Sequence, residues 1–422
     1  MSPGSASELT EELLAWIGTA FADAEFVAAV EGLDLRLALR SSDTEVLVLL
    51  APNGGSVEVV DRRDISITAP EYGWREILSA SPGPGWHAFT ALAKANPEAE
   101  IAGDPAAIAR ALHALERLFE LARPDIRESD PTVPPDYAAI IGRYADVVGP
   151  LKQPARIYYE TAGEGTPLVM LHTAGADSRQ WHAQLADPGL QEKWRMFAFD
   201  LPWHGRSCPP ADWDWSSYRL TAEDYASWCI GFFRDVIGEH PVVLGCSMAA
   251  SIAVRLAALH ADEIRGVIAV EAPAQGPARL VPELRHPEID SSAHNPSYVR
   301  GLMSPYSALS DRRRACWIYS QGGLGVYAGD LWFYSRDYDG LSLAPKVDTE
   351  RTPVTFLTGS YDYSAPPADT RRLVEAIPGS RFEEMPDLGH FPMIEAPERF
   401  RRYLVPALDA MRESLWSDPS SS

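Results

Sequence analysis

Residues 242–250 read Val242-Val243-Leu244-Gly245-Cys246-Ser247-Met248-Ala249-Ala250. An apolar run of strand type breaks into a turn of small residues, and helical spacing then resumes to about Leu259. Strand, tight turn and helix in this order put Ser247 at the apex, beside a helix N-terminus whose backbone N–H groups and dipole favour negative charge. Ser247 is therefore the candidate nucleophile. The match to G-x-S-x-G is imperfect, because Ala249 replaces the last glycine. A serine in such a turn is more often structural than catalytic, so the remainder of the chain has to decide.

The bulk properties narrow the field. A chain of 422 residues exceeds one typical compact core, which predicts two domains. A formal net charge of −22 leaves no excess of cations to neutralise phosphates, so a nucleic-acid partner is not expected. The four cysteines, Cys208, Cys229, Cys246 and Cys316, have neither zinc-site spacing nor the density of a disulfide framework, and they read as reduced thiols. No signal-like segment and no apolar run long enough for a bilayer is visible, which predicts a cytoplasmic protein without stable membrane insertion.

The chain divides by pattern. Leu13, Leu14, Ile17 and Phe21 follow helical spacing, and after Gly32 the period changes to the alternation of Leu33, Leu35, Leu37 and Leu39. Strands are expected at 33–39, 46–50, 56–60 and 65–68, as an antiparallel meander, with helices at 74–78, 87–94 and 106–121. This order, ending in Ile101-Ala102-Gly103-Asp104 and an amphipathic helix, resembles the sterol carrier protein domain over residues 8–122. The resemblance implies an α+β domain with an apolar groove for an acyl chain, or one serving packing or homodimer formation. Residues 123–135, with four prolines and alternating charges, read as a linker across which few contacts pass, separating a domain 1–122 from a domain 136–422. A fragment 136–422 is expected to keep its chemistry.

The second domain opens with an amphipathic helix expected at 136–148. Strands are then expected at 155–160, 167–172, 195–200, 242–244, 266–271, 353–358 and 381–385, with helices between them, the mark of a mostly parallel α/β sheet. Residues 273–345, rich in aromatics and prolines, interrupt the alternation and read as an inserted cap.

Two further sites join Ser247. Asp362 follows the strand ending near Leu357, at the carboxyl end where open parallel sheets place their chemistry. His390, in Leu388-Gly389-His390-Phe391-Pro392, lies in a loop before the terminal helix. Serine, acid and histidine in this order, each after a separate strand, resemble the α/β-hydrolases of the capped, lipase/esterase-like kind over residues 152–411. Leu171-His172, Asp200-Leu201-Pro202-Trp203-His204-Gly205 and Glu395-Ala396-Pro397 carry the same resemblance, although His172-Thr173 departs from the usual His-Gly pair.

The resemblance implies a Ser247–His390–Asp362 triad with His390 as base, and an oxyanion hole made by the N–H groups of Met248 and Ala174, with Thr173 and Gly175 as alternatives to Ala174. A Thr173 hydroxyl donor is a further option. His172 and His204 are expected to bond backbone, and Cys246 to pack. Arg179 and Trp181 after the oxyanion loop, with Trp317, Tyr327, Trp332 and Tyr334 of the cap, are candidates for lining a substrate pocket. No metal or organic cofactor is required. The expected partner is a small apolar or aromatic substrate carrying an ester or a related amide, lactone or thioester. Carbon–carbon hydrolysis or lyase chemistry at the same residues stays open, as does a lipid-binding scaffold with a vestigial triad. Activity should rise with pH as His390 loses its proton, with Asp362 moving the midpoint upward.

Overall fold

The computed structural model describes residues 4–57, 61–125, 131, 133–216, 218–277, 279–323 and 325–416. They build two sheets over two hydrophobic cores. The first sheet has the order β3-β2-β1-β4-β5, from β1 Leu35–Arg40, β2 Glu45–Leu50, β3 Gly55–Val57, β4 Ile65–Thr68 and β5 Glu100–Gly103. Its inward residues, among them Leu37, Leu39, Val48 and Ile67, share a core with Leu13 and Ile17 of helix Gly4–Ala22 and Leu115 of helix Pro105–Glu120. Asp104 caps the latter helix through Ala107 N–H, with Pro105 in its first turn.

The meander expectation needs correcting. β1, β2 and β3 do pair antiparallel, but β4 joins the other side of β1 in parallel. β4 thus crosses back past β2 instead of extending the sheet at β3, and this sets the fully buried Ile65 and Ile67 beside Leu37 and Leu39. β5, an element not expected as a strand, then pairs antiparallel with β4. The expected continuation of the third strand to Val60 and much of the 123–135 segment fall outside the described residues.

The second sheet runs β13-β12-β11-β10-β8-β9-β7-β6. Its strands are β6 Ile141–Val148, β7 Pro154–Ala162, β8 Thr166–Leu171, β9 Trp194–Phe199, β10 Val242–Cys246, β11 Gly266–Val270, β12 Val354–Gly359 and β13 Arg381–Met385. β8 to β13 are mutually parallel. Burial on both faces explains why β10 and β11 read as unbroken apolar runs.

The helix expected at 136–148 is instead a short 3₁₀ turn, Tyr137–Ala139, followed by β6. All eight residues of β6 pair with β7, so β6 forms the edge strand of the sheet and its backbone groups on that side are satisfied by β7. Of its residues only Val147 is fully buried, so neither period is strong in the sequence.

Between β11 and β12 the chain leaves the sheet to form a helical cap, with Ser291–Leu302, Leu309–Tyr319 and Val326–Trp332 as its main helices. The expectation of few contacts between the two halves does not hold. Arg300 and Arg313 of the cap pair with Glu25, and Arg300 and Arg312 with Glu120. Tyr361 and Tyr363, flanking Asp362, donate to Pro82 O at 2.6 Å and Thr90 Oγ1 at 2.7 Å. Interdomain ion pairs and buried hydroxyls are invisible to composition, because each partner alone looks like an ordinary surface residue.

Candidate active site

Ser247 sits between β10 and helix Met248–Leu259 with φ +59° and ψ −118°, a strained conformation for a residue with a side chain. Its N–H is held by Val270 O of β11 at 2.8 Å. Gly245 makes the turn possible: a Cβ there would lie 2.3 Å from Ala249 O and 3.0 Å from Ala249 Cβ. The methyl of Ala249 is thus accommodated because position 245 has none, which accounts for the departure from G-x-S-x-G.

The parallel strands bring three distant residues to one edge of the sheet. Ser247 Oγ lies 2.7 Å from His390 Nε2, and His390 Nδ1 lies 2.6 Å from Asp362 Oδ2. The other Asp362 oxygen accepts from the N–H groups of Ser364 and Ala365 at 2.7 and 3.1 Å. Burial would raise the Asp362 pKa, yet His390 and these hydrogen bonds hold the carboxyl below its ordinary range. His390 is shifted down: burial disfavours its charged form, Asp362 opposes this, and Arg279 adds to the lowering. The upward shift expected from Asp362 alone is therefore reversed.

Behind Asp362, Glu271 is fully buried, and its pKa is pushed well above the ordinary carboxyl range by burial and by Asp362. Its carboxyl accepts from Gly359 N–H at 2.9 Å. Glu271, Asp362 and His390 each bring one ligand atom within 4.8 Å of the others. Both imidazole nitrogens already face Asp362 and Ser247, so a cation here would have to break the Asp362 contact.

Of the three N–H groups weighed for the second oxyanion donor, two are engaged. Thr173 N–H goes to Gln180 Oε1 at 3.0 Å and Gly175 N–H to Asp330 Oδ2 at 2.7 Å. Ala174 N–H has no acceptor among the described residues. Met248, as the first helical residue, carries one of the N–H groups that helix geometry leaves open. The Thr173 hydroxyl is taken up by Gln180 and Tyr319 and is not a free donor. Gly175 adopts φ +71°, and a Cβ there would lie 2.6 Å from the Tyr327 ring.

Of the six pocket candidates, Tyr327 and Tyr334 lie at this centre. Tyr327 rests on Gly175, and the Tyr334 hydroxyl is buried beside Ser247 and Ser364 without a formed hydrogen bond. The other four are elsewhere. Arg179 is bound to Asp177 at 2.7 Å and to Gln321 at 2.8 Å, and it lies over Trp317, which is 55% exposed. Trp181 is buried within the sheet's core, and Trp332 packs under Arg219. Sequence places these residues near the right loops, but side-chain direction decides which reach the serine. His172 bonds Thr173 O and Leu201 N–H at 2.9 and 3.1 Å, and Cys246 donates to His390 O at 3.3 Å.

Three further residues, Arg279, Asp330 and Glu395, shape the site. Arg279 Nη1 lies 3.4 Å from His390 Nε2, and its Nη2 donates to Tyr327 OH at 2.6 Å. Asp330 accepts from Gly175 N–H, His204 Nε2 and Tyr218 OH, fastening the cap to the oxyanion loop. Burial opposes charge on His204, but Asp330 raises its pKa above the ordinary value. Glu395 accepts from Gly389, Phe391 and Ser304 N–H at 2.9, 3.1 and 2.6 Å, clamping the loop of His390. Glu395 stood in a recognisable stretch; Arg279 and Asp330 lay in a cap without regular spacing. A cavity of about 530 Å³ lies between the front domain and the cap, lined by Phe89, Ile108 and Leu112 on one side and Arg279, Tyr298 and Tyr327 on the other.

A family model described as the alpha/beta hydrolase family matches residues 168–403. The chain is 24% identical over 259 residues to the pimeloyl-[acyl-carrier protein] methyl ester esterase of Aeromonas hydrophila, covering 57% of this chain and 94% of that protein. Among solved structures, a thermophilic esterase from Thermogutta terrifontis superposes with a TM-score of 0.53 at 21% identity, over 64% of this chain and 99% of that one. The enol-lactonase of Burkholderia xenovorans does so at 0.54 and 23%, over 63% and 100%. At these identities the structural likeness establishes the fold alone. No helix among the described residues is long and apolar enough to cross a membrane.

Proposed function

The chain belongs to the alpha/beta hydrolase family and is an enzyme of hydrolase type, and we propose that it cleaves a carboxylic ester of an apolar small molecule through Ser247, His390 and Asp362. The observation that carries this reading is the continuous pair of contacts, 2.7 Å from Ser247 Oγ to His390 Nε2 and 2.6 Å from His390 Nδ1 to Asp362. Ser247 Oγ attacks the ester carbonyl carbon while its proton passes to His390 Nε2. The oxyanion forms between the N–H groups of Ala174 and Met248. His390 returns the proton to the departing alkoxide, leaving an acyl group on Ser247. A water molecule, deprotonated by the same nitrogen, then releases the acid. Asp362 holds the imidazole tautomer and its transient positive charge.

The relative from Aeromonas is a methyl ester esterase, which supports the ester as the bond type. We carry the sterol-carrier resemblance of residues 8–122 as part of the proposal, with their five-stranded sheet and closing helix as its support. In this division of labour the front domain supplies apolar wall to the substrate cavity. The test is labelling with a fluorophosphonate together with turnover of a panel of alkyl esters. Labelling at Ser247 with ester hydrolysis is the expected result; an unlabelled Ser247 with no ester turned over overturns the reading.

A further inference from the structure

Arg279 is a cation of the site with no anionic partner among the described residues. Its Nη1 contacts His390 Nε2 at 3.4 Å and Ser364 Oγ at 3.3 Å, its Nη2 donates to Tyr327 OH, and its Nε is enclosed without an acceptor. The guanidinium carbon lies 5.1 Å from the Tyr298 ring centre and 6.0 Å from that of Tyr334. These neighbours are neutral, whereas an arginine keeps its charge at any physiological pH.

Three other enclosed arginines meet carboxylates, Arg117 with Asp23, Arg300 with Glu25 and Arg312 with Glu120, and Arg123 is held by the backbone carbonyls of Ile77, His87 and Phe119; Arg279 has neither kind of partner among the described residues. A cation held in such surroundings without a counter-ion is electrostatically unfavourable, and a bound anion would offset that cost. Arg279 lines the cavity between the front domain and the cap.

We propose that Arg279 binds a carboxylate carried by the substrate, so that the preferred substrates are esters with a free carboxylate close to the scissile carbonyl and an apolar tail in the interdomain cavity. The proposal deepens the ester-hydrolase reading and rests on it. Distance sets the spacing. A carboxylate oxygen bound to Nη1 lies about 2.8 Å from it, and a carbonyl carbon poised for attack lies roughly 3–3.5 Å from Ser247 Oγ. With Nη1 and Oγ both neighbours of Nε2, the two ligand atoms fall close enough together for a half-ester of a short dicarboxylic acid, which is the spacing we propose.

The experiment compares hexyl hydrogen succinate with hexyl 4-oxopentanoate, in which a methyl ketone replaces the carboxylate, by the ratio of their kcat/KM values in the full-length protein. The wild type should favour the anionic ester by about tenfold or more, and Arg279→Gln should shrink that ratio ten- to hundredfold, mainly through KM. Arg279→Lys should recover part of it. A wild-type ratio at or below one, or equal losses on both esters in Arg279→Gln, overturns the proposal. Calorimetric binding of hexyl hydrogen succinate in the Ser247→Ala background reads the same contact without turnover: added Arg279→Gln should weaken it at least tenfold, and unchanged binding overturns the proposal. Failure of the ester reading shows itself differently, as an unlabelled Ser247 and no hydrolysis of either ester.

Discussion

The carboxylate of Asp330, in a cap helix, accepts the backbone N–H of Gly175 at 2.7 Å, so the loop beside the candidate nucleophile is held in place by the cap. Asp330 also receives the His204 ring N–H at 2.7 Å and the Tyr218 hydroxyl at 2.8 Å. Asp330→Ala leaves all three donors buried and unpaired. The expected destabilisation is about 3–5 kcal/mol, read by denaturant unfolding of the full chain. A variant as stable as the wild type would remove the cap's anchoring role from this residue.

Ser247→Ala and His390→Ala should each lower kcat on the order of 10⁶-fold, since the two act as one proton-transferring unit. Circular dichroism should show both variants folded. Asp362→Asn should retain more activity than either, because Asp362 orients His390 and stabilises its charge without exchanging a proton with substrate. Retention of about a tenth of wild-type activity by Ser247→Ala would exclude it as nucleophile.

The pH profile follows from His390. Only neutral imidazole accepts the serine proton, so kcat/KM rises as pH climbs through the His390 pKa. Burial and Arg279 put this midpoint below the ordinary 6.5. Arg279→Gln removes a nearby positive charge, makes the charged imidazole easier to form, and should shift the midpoint upward. Profiles measured with a neutral ester check both statements; a wild-type midpoint above 6.5 contradicts the first.

Glu116 gives a stability prediction of the opposite sign. Burial raises its pKa from 4.5 to about 7, while its Oε1 accepts Thr90 N–H at 2.7 Å. In the unfolded chain it ionises at the lower value, so folding is progressively disfavoured as pH rises from 4.5 to about 7, and the cost persists above that. Glu116→Gln keeps an acceptor for Thr90 and abolishes the ionisation. It should stabilise the protein at pH 8 by up to about 3 kcal/mol and by much less at pH 5, as measured by urea unfolding at the two values.

The interface also revises what truncation would do. Without residues 1–122, Arg300 and Arg312 would lose Glu25 and Glu120, and Tyr361 and Tyr363 would lose Pro82 and Thr90 beside Asp362. A fragment 136–422 is expected to have low solubility and little or no ester hydrolysis. A soluble fragment of full activity would restore the independent second domain that the proline-rich segment suggested.

The alternation of β10, β11 and β12 with helices, and the serine, aspartate and histidine that follow separate strands, could be read from the sequence because parallel strands buried on both faces need continuous apolar runs. Chain order alone then sends Ser247, Asp362 and His390 to one sheet edge. What the sequence left open depends on directions and partners that no local pattern encodes. β4 crosses the sheet to join β1 in parallel, which buries Ile65 and Ile67 beside Leu37 and Leu39, and 141–148 becomes a strand because β7 lies alongside. Trp181 and Trp317 turn away from the serine that Tyr327 and Tyr334 approach. Arg279 stands in no periodic segment and acquires its meaning only where the cap folds over His390, since charge, enclosure and an absent counter-ion are properties of the assembled site.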